Sequence, residues 1–349
     1  MTPRPDMDWL AGLCALPGVS GDEALVRQRV WERLRPLAEQ AWIDPLGSLV
    51  LTWCWRSGTG PRVVLAAHLD EVGLIVTGID GDGLLRFESV GGVDARILPG
   101  CALRVGRSGI PGTVALPPVH LTPRQRREQA SDPDDLRIDI GASDREQAER
   151  AVSPGDRAVF ASPVGSLGRL FRAKALDDRA GVAAIVAALE GLPRPTFPLA
   201  VAFTVQEEIG TRGAAAVAEV LGADAAVILE TTTAADLPGV VGRRRVTSLG
   251  AGPALTALDA GMIAGRSWTE TLARTARDEG IPFQWKQAAA GGTDGAHFQG
   301  EAADVAVLSL PCRYLHAPCG VMDPADLEAE AWLLRAWLFR SPWKEMDRA

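Results

Sequence analysis

Apolar and polar positions alternate along this chain in two different rhythms. From residue 20 the segment SGDEALVRQRVWERLRPLAEQ returns apolar side chains at Leu25, Val26, Val30, Leu34 and Leu37, which is helical spacing. Ser20 with Glu23 has the S-x-x-E form of a capping box, which would satisfy the first free N–H groups of that helix. SLVLTW and RVVLAAHLD follow as strand-like runs. The second is continuously apolar, as a strand buried on both faces would be.

Between about residue 71 and residue 160 the rhythm changes. GLIVTGIDGDGLLRFESVGG and ILPGCALRVGRSGIPGTVAL are short β-like runs broken by Gly, Asp and Pro, and GDG at Gly81 is a hairpin-turn signal. Spacing of this kind predicts a small β-rich unit. Inside it, LTPRQRREQASDPDD reads as an exposed loop, and SDREQAERAV as a short helix with a second capping box, Ser143 and Glu146. From about Gly165 the α/β rhythm returns. DDRAGVAAIVAALEGL, RGAAAVAEVLG, TETLARTARDEG and DPADLEAEAWLLRAWLFR read as helices; LAVAFTV, ADAAVILE and DVAVLSLP, placed between them, read as strands. This alternation predicts an α/β fold with a mostly parallel, mixed sheet flanked by helices. Residues 1–70 and 165–349 would form one discontinuous domain, and residues 71–164 an inserted β-rich one.

Length and composition agree. A chain of 349 residues fits about two domains, and 47% hydrophobic with 23% charged residues is ordinary for a globular protein. A net charge of −8 gives no footprint for nucleic acid or an acidic membrane. No apolar run approaches the roughly 20 residues that cross a bilayer, and MTPRPDMDWLAGL lacks the basic-then-apolar order of a secretory signal. Cys14, Cys54, Cys101, Cys312 and Cys319 are scattered and odd in number, with no CxxC pair. They suit neither a disulfide framework nor a thiolate zinc site, and a reducing cytoplasm is expected.

The polar residues fall where the apolar runs stop. VVLAA leads into His68, with Asp70 at one remove; LAVAFTV leads to Glu207 and Glu208; AAVIL ends in Glu230; VAVLSLP leads through CRYLHAP to His316. KALDDRAG places Asp177 and Asp178 just before a helix. In open α/β sheets the ligand crevice lies beyond the carboxyl ends of the strands. Taken singly, each feature has a plainer explanation: a packed histidine, an N-cap with an ion pair, a solvated strand end. Their joint occurrence at one sheet edge points to a metal site. Carboxylates and imidazoles without thiolates suit zinc, cobalt or manganese, and two ions a few Å apart need about six protein ligands including a bridging carboxylate.

AAHLDEVGLIV, KALDDRAG, TVQEEIGTRGA, ILETTTAADLPG, GGTDGAHFQ and RYLHAPCGV resemble, in order and spacing, the M42 family of dinuclear metalloaminopeptidases. The resemblance spans nearly the whole chain. It implies a zinc-peptidase-like catalytic domain with an inserted PDZ-like or barrel domain that mediates dimer contacts, and dimers that assemble into a dodecamer. It implies Asp177 as the carboxylate bridging two divalent ions, zinc or cobalt first and manganese next. His68 and Glu230 would complete one site, Glu208 and His316 the other. Glu207 would be the general base, Asp70 would orient the His68 ring, and the Asp177–Asp178 peptide would be cis. Many members of the family have Asp where this chain has Glu230. Gly292, Thr293 and Asp294 would contact the substrate, a short peptide. His297 reads as a packing residue, and His120 as a structural or interface residue of the insert. The alternatives are another metallohydrolase activity on the same site (amide deacylation, or the glucanase activity some members are labelled with) and an inactive scaffold. The ten tryptophans, several in segments such as EAWLLRAWLF, read as core and not as sugar platforms.

Overall fold

The computed structural model describes residues 2–116, 118, 120, 122, 124, 133–287, 291–301 and 303–341. Helices α1 (Met7–Ala15) and α2 (Ala24–Leu34) precede strands β1 (Gln40–Ile43), β2 (Leu49–Trp53) and β3 (Val63–His68). Strands β4 (Gly73–Ile79), β5 (Leu85–Val90), β6 (Ala102–Val105), β7 (Ile110–Ala115) and β8 (Arg137–Asp139) follow, then helix α3 (Arg145–Glu149) and strand β9 (Arg157–Phe160). The chain continues through β10 (Gly165–Leu167), β11 (Leu170–Ala173), α4 (Leu176–Leu189), β12 (Leu199–Thr204), α5 (Arg212–Leu221) and β13 (Ala225–Thr233). It ends with β14 (Ala254–Thr256), α6 (Arg266–Glu279), β15 (Gln284–Trp285), α7 (Gly295–Gly300), β16 (Asp304–Cys312), β17 (Gly320–Met322) and α8 (Pro324–Arg340).

Among the described residues, eight strands form one mixed sheet in the order β1-β2-β12-β3-β13-β16-β14-β15. Its centre, β12, β3, β13 and β16, is parallel throughout. The continuous apolar runs are explained by burial on both faces: every residue of β3 and β12 is buried. Alternate residues feed two different cores. Val63, Leu65, Ala67, Val201, Phe203, Val227 and Leu229 pack with α1, α2, α4, α6 and α8. Val64, Ala66, Ala200, Ala202, Ala226 and Ile228 pack with α5 and α7. The second set is rich in alanine, which lets α5 lie close to the sheet through Ala214, Val217, Ala218 and Leu221.

The β-rich stretch closes into a barrel, β4-β5-β8-β7-β6-β9, around Leu74, Val76, Leu85, Leu103, Val105, Ile138 and Phe160. Closure removes exposed strand edges. Gly83, at φ +85°, makes the turn between β4 and β5, where the GDG signal predicts one. The barrel begins five residues after the end of β3 and ends shortly before β10 and β11, which pair with β17 beside the main sheet.

Local expectations fail in four places. Ser20 and Glu23 do not form a capping box: α2 has no side-chain cap, Ser20 Oγ donates to Asp70 at 2.6 Å, and the Glu23 carboxylate accepts from the Gly21 and Gln206 N–H groups. Buried groups at the sheet edge draw both side chains away from the helix. In the barrel the cap is one residue later than expected, with Asp144 accepting from Gln147 N at 2.8 Å. Leu25, in the first turn of α2, faces solvent while Val26, Val30 and Leu34 are buried, and Leu37 is exposed because α2 stops at Leu34 and Pro36 lacks the N–H to extend it. Strand β13 runs past Glu230 to Thr233, paired with β16 throughout, so Glu230 sits inside a strand. Most of LTPRQRREQASDPDD lies outside the described residues, and Pro133–Asp135 at its end is a 3-10 turn.

Candidate metal centre

The parallel strands deliver their polar residues to one edge of the sheet. His68 is the last residue of β3 and pairs with Thr204, the last of β12. Glu207 and Glu208 follow β12 by three and four residues, and His316 follows β16 by four. Glu230 reaches the same edge from β13, opposite Ser309. Asp177 arrives from the side, at the start of α4, where it and Asp178 have non-helical backbone angles and are joined by a cis peptide.

These residues meet in two clusters. His68 Nε2 lies 3.2 Å from Asp177 Oδ1 and 3.5 Å from Glu230 Oε1. His316 Nε2 lies 3.2 Å from Asp177 Oδ2 and 3.4 Å from Glu208 Oε2. Asp177 therefore turns one oxygen to each histidine. Within each cluster the candidate ligand atoms lie within 4.8 Å of one another.

Asp70 ties the edge together from beneath. It is fully buried, stands 3.4 Å from His68 Nδ1, and accepts the N–H groups of Glu207 and Glu208 at 3.0 and 3.1 Å together with the Ser20 hydroxyl. Burial alone would raise its pKa; the His68 ring, Ser20 and the Glu207 N–H hold it below the ordinary value. Asp178 points away from the clusters, accepting from Gly181 N at 3.0 Å and Thr231 Oγ1 at 3.3 Å. A Cβ on Gly181 would stand 2.5 Å from the Asp178 carboxylate oxygens, which explains the glycine of KALDDRAG.

The edge holds more negative charge than its own cations offset. Burial, reinforced by Glu230, Asp294 and Glu208, pushes Glu207 up to about 10. Burial and the Asp177 charge push Glu208 to about 7 and Glu230 to about 8. The hydrogen bond to Asp177 raises His316 to about 9. Glu208 Oε1 is buried without a hydrogen-bond partner. An unpaired buried carboxylate is costly, and a divalent cation relieves it. Nitrogen and oxygen donors of this kind fit such an ion.

The remaining candidates lie around this edge. Thr293 and Asp294 are buried and committed to the protein: Thr293 Oγ1 donates to Asp259 at 3.1 Å, and Thr204 Oγ1 donates to Asp294 at 2.5 Å. Gly292 beside them is exposed. His297 Nε2 is 2.8 Å from Thr211 Oγ1, which ties α7 to the loop after Glu208. His120 is exposed, in the region of the barrel. Two ion pairs add to these candidates. Lys174 Nζ lies 2.6 and 2.8 Å from the two oxygens of Glu71, a buried pair joining the loops of Asp177 and His68. Arg313 makes a bidentate pair with Asp236, at 2.6 and 2.9 Å, joining the loops after β16 and β13. Lys174, Glu71, Arg313 and Asp236 all lie within the segments that carry the resemblance to the M42 family.

The chain is similar to known proteins over nearly its whole length. The M42 glutamyl aminopeptidase family profile matches residues 47–333. The chain is 32% identical to the lysyl aminopeptidase of Pyrococcus furiosus over 344 residues, which covers 95% of this chain and 97% of that protein. Among solved structures, it superposes on the TET aminopeptidase of a marine sediment Thaumarchaeota archaeon with a TM-score of 0.91 and 32% identity, covering 96% of each chain. The Pyrococcus horikoshii TET1 peptidase, described as assembling into a tetrahedron or a large octahedral shell, gives 0.85 and 33%, covering 95% of this chain and 99% of that one. This chain belongs to the M42 family of metal-dependent aminopeptidases.

Proposed function

We propose that the protein removes N-terminal residues from short peptides at a centre of two divalent ions, with Glu207 as general base. The observation that carries this reading is the position of Asp177, 3.2 Å from His68 through one oxygen and 3.2 Å from His316 through the other. A carboxylate so placed suits a bridge. His68, Asp177 and Glu230 would hold one ion, and Asp177, Glu208 and His316 the other. Zinc, cobalt and manganese fit these donors. When bound, such ions polarise a carbonyl and acidify water.

Glu207 and Glu208 are adjacent, and their N–H groups are fixed to the two oxygens of a single carboxylate, Asp70. Their side chains, which leave the backbone in different directions, would take different tasks. Glu208 Oε2 faces His316 and serves as a ligand. Glu207 belongs to neither ligand cluster; with bound ions offsetting the neighbouring carboxylates that raise its pKa, its carboxylate would be free to take a proton from the attacking water and return it to the leaving amine. Gly292, exposed beside buried Thr293 and Asp294, would line the approach of the peptide, with those two side chains bracing the wall behind it.

Residues 1–70 and 165–349 would act as the catalytic unit and residues 71–164 as the contact unit of a homo-oligomer, with dimers building a dodecamer. The dodecamer described for one solved relative at 32% identity, and the tetrahedron or octahedral shell described for the Pyrococcus horikoshii TET1 peptidase, support the oligomer. A cytoplasmic setting suits the five free cysteines. No helix among the described residues is long and apolar enough to cross a membrane.

The deciding experiment assays purified protein on aminoacyl-anilides and on a soluble glucan, before and after chelation and after return of zinc, cobalt or manganese. Anilide hydrolysis that disappears with the metal and returns with it is expected. Glucan hydrolysis in its place, or activity indifferent to chelation, would overturn the proposal. Light scattering that finds an active monomer would remove the assembly.

A further inference from the structure

His316 is less sheltered than its counterpart: its side chain is 32% exposed, against 2% for His68. Tyr314 and His316 both sit at positive φ, +60° and +54°, which non-glycine residues rarely adopt and which only surrounding contacts can enforce. The ring is met from the other side by the barrel. Strand β5 ends at Val90, and the chain then turns through Gly91 and Gly92. A Cβ on Gly92 would stand 2.9 Å from His316 Nδ1, so the ring lies against the Gly92 main chain. Gly91 has φ +80°, and a Cβ there would stand 3.2 Å from Glu208 Cβ and 2.8 Å from Val72 Cγ1. The same two-residue turn thus presses on both residues that join Asp177 in the second cluster.

We propose that the Gly91–Gly92 turn of the barrel positions this cluster, holding His316 with Nδ1 toward the barrel and Nε2 toward Asp177 and Glu208. A ligating imidazole is oriented by whatever receives its other ring nitrogen, and such outer contacts change metal affinity by about 10- to 100-fold. His68 has Asp70 in that role; His316 has the main chain of a different structural unit. The centre is therefore built across the junction of sheet and barrel. A shift of the barrel, for example on assembly, would act directly on His316 and Glu208, the residues this turn meets. Glycine is needed at 92 because the ring occupies the space of a side chain.

This inference rests on the two-ion reading above, and the test separates the two. Metal-free full-length protein is titrated with cobalt, following uptake by equilibrium dialysis and by the visible spectrum. Wild-type protein is expected to take up two equivalents; fewer would overturn the two-ion reading and this inference with it. Gly92→Ala is expected to bind the second equivalent about 10- to 100-fold more weakly and to keep the first. Gly81→Ala, in a barrel turn where a Cβ meets nothing within 4 Å, should behave as wild type. A folded Gly92→Ala protein that binds both equivalents as wild type does, or loses both together, would overturn the inference. If that variant does not fold, a crystal structure of cobalt-loaded wild type decides: Gly92 within hydrogen-bond reach of His316 Nδ1 supports the inference, and a ring turned away refutes it.

Discussion

The carboxylate of Asp70 holds the N–H of Glu207 at 3.0 Å, although 137 residues of chain separate the two. Through this bond the loop after β3 dictates where the loop after β12 stands. The other Asp70 oxygen accepts from Glu208 N and Ser20 Oγ, so neither oxygen is idle.

Asp70→Asn would place an NH₂ group against donors. With the wrong polarity in a buried site, one N–H or the Ser20 hydroxyl loses its acceptor. A stability loss of about 1–3 kcal/mol is expected in urea unfolding. Weaker metal uptake should accompany it, because His68 loses its charged neighbour. Unfolding and uptake curves that overlay those of wild type would contradict this account.

Glu207→Gln removes the proposed base and leaves both ligand clusters whole. Metal content should remain at the wild-type level, while kcat on an aminoacyl-anilide falls roughly a hundred- to ten-thousand-fold. Turnover near wild type would assign the proton transfer to another group.

Glu208→Gln and Glu230→Gln remove one ligand from opposite clusters. Each variant should retain about one equivalent of the two proposed ions after dialysis, with Glu230→Gln keeping the ion beside His316 and Glu208→Gln the ion beside His68. Elemental analysis gives the count. Unchanged uptake in either variant would remove that residue from the ligand set.

Arg313 hydrogen-bonds Asp236 and lowers its pKa in the folded protein. A depressed folded-state pKa means that the unfolded chain binds the proton more readily, so the stabilisation is present above the unfolded value and fades as pH falls through the folded one. Asp236→Asn should therefore be less stable than wild type at pH 6–7, and the gap should narrow as pH is lowered below about 4. Thermal unfolding across that range is the measurement; a gap constant with pH would show that the ion pair contributes nothing.

Several of these features could be read from sequence because they are local or periodic. The uninterrupted apolar runs around Leu65, Val201 and Val227 require burial on both faces, and this alone implies a parallel sheet between two helical layers. Acids and histidines placed directly after such runs, as at His68, Glu207 and Glu208, imply a polar edge. The turn at Gly83 and the helix α8 follow from side-chain chemistry within a few residues. What the tertiary structure decided depends on distance along the chain. Ser20 and Glu23 have the pattern of a cap, yet a buried partner 50 residues away captures the Ser20 hydroxyl, because a short bond to a desolvated carboxylate outweighs an exposed cap. The convergence of Asp177 on both histidines, the Arg313–Asp236 clamp and the contact of Gly92 with His316 join loops far apart in sequence. No local propensity encodes such meetings; they exist because packing of the sheet and the barrel brings the loops to one place.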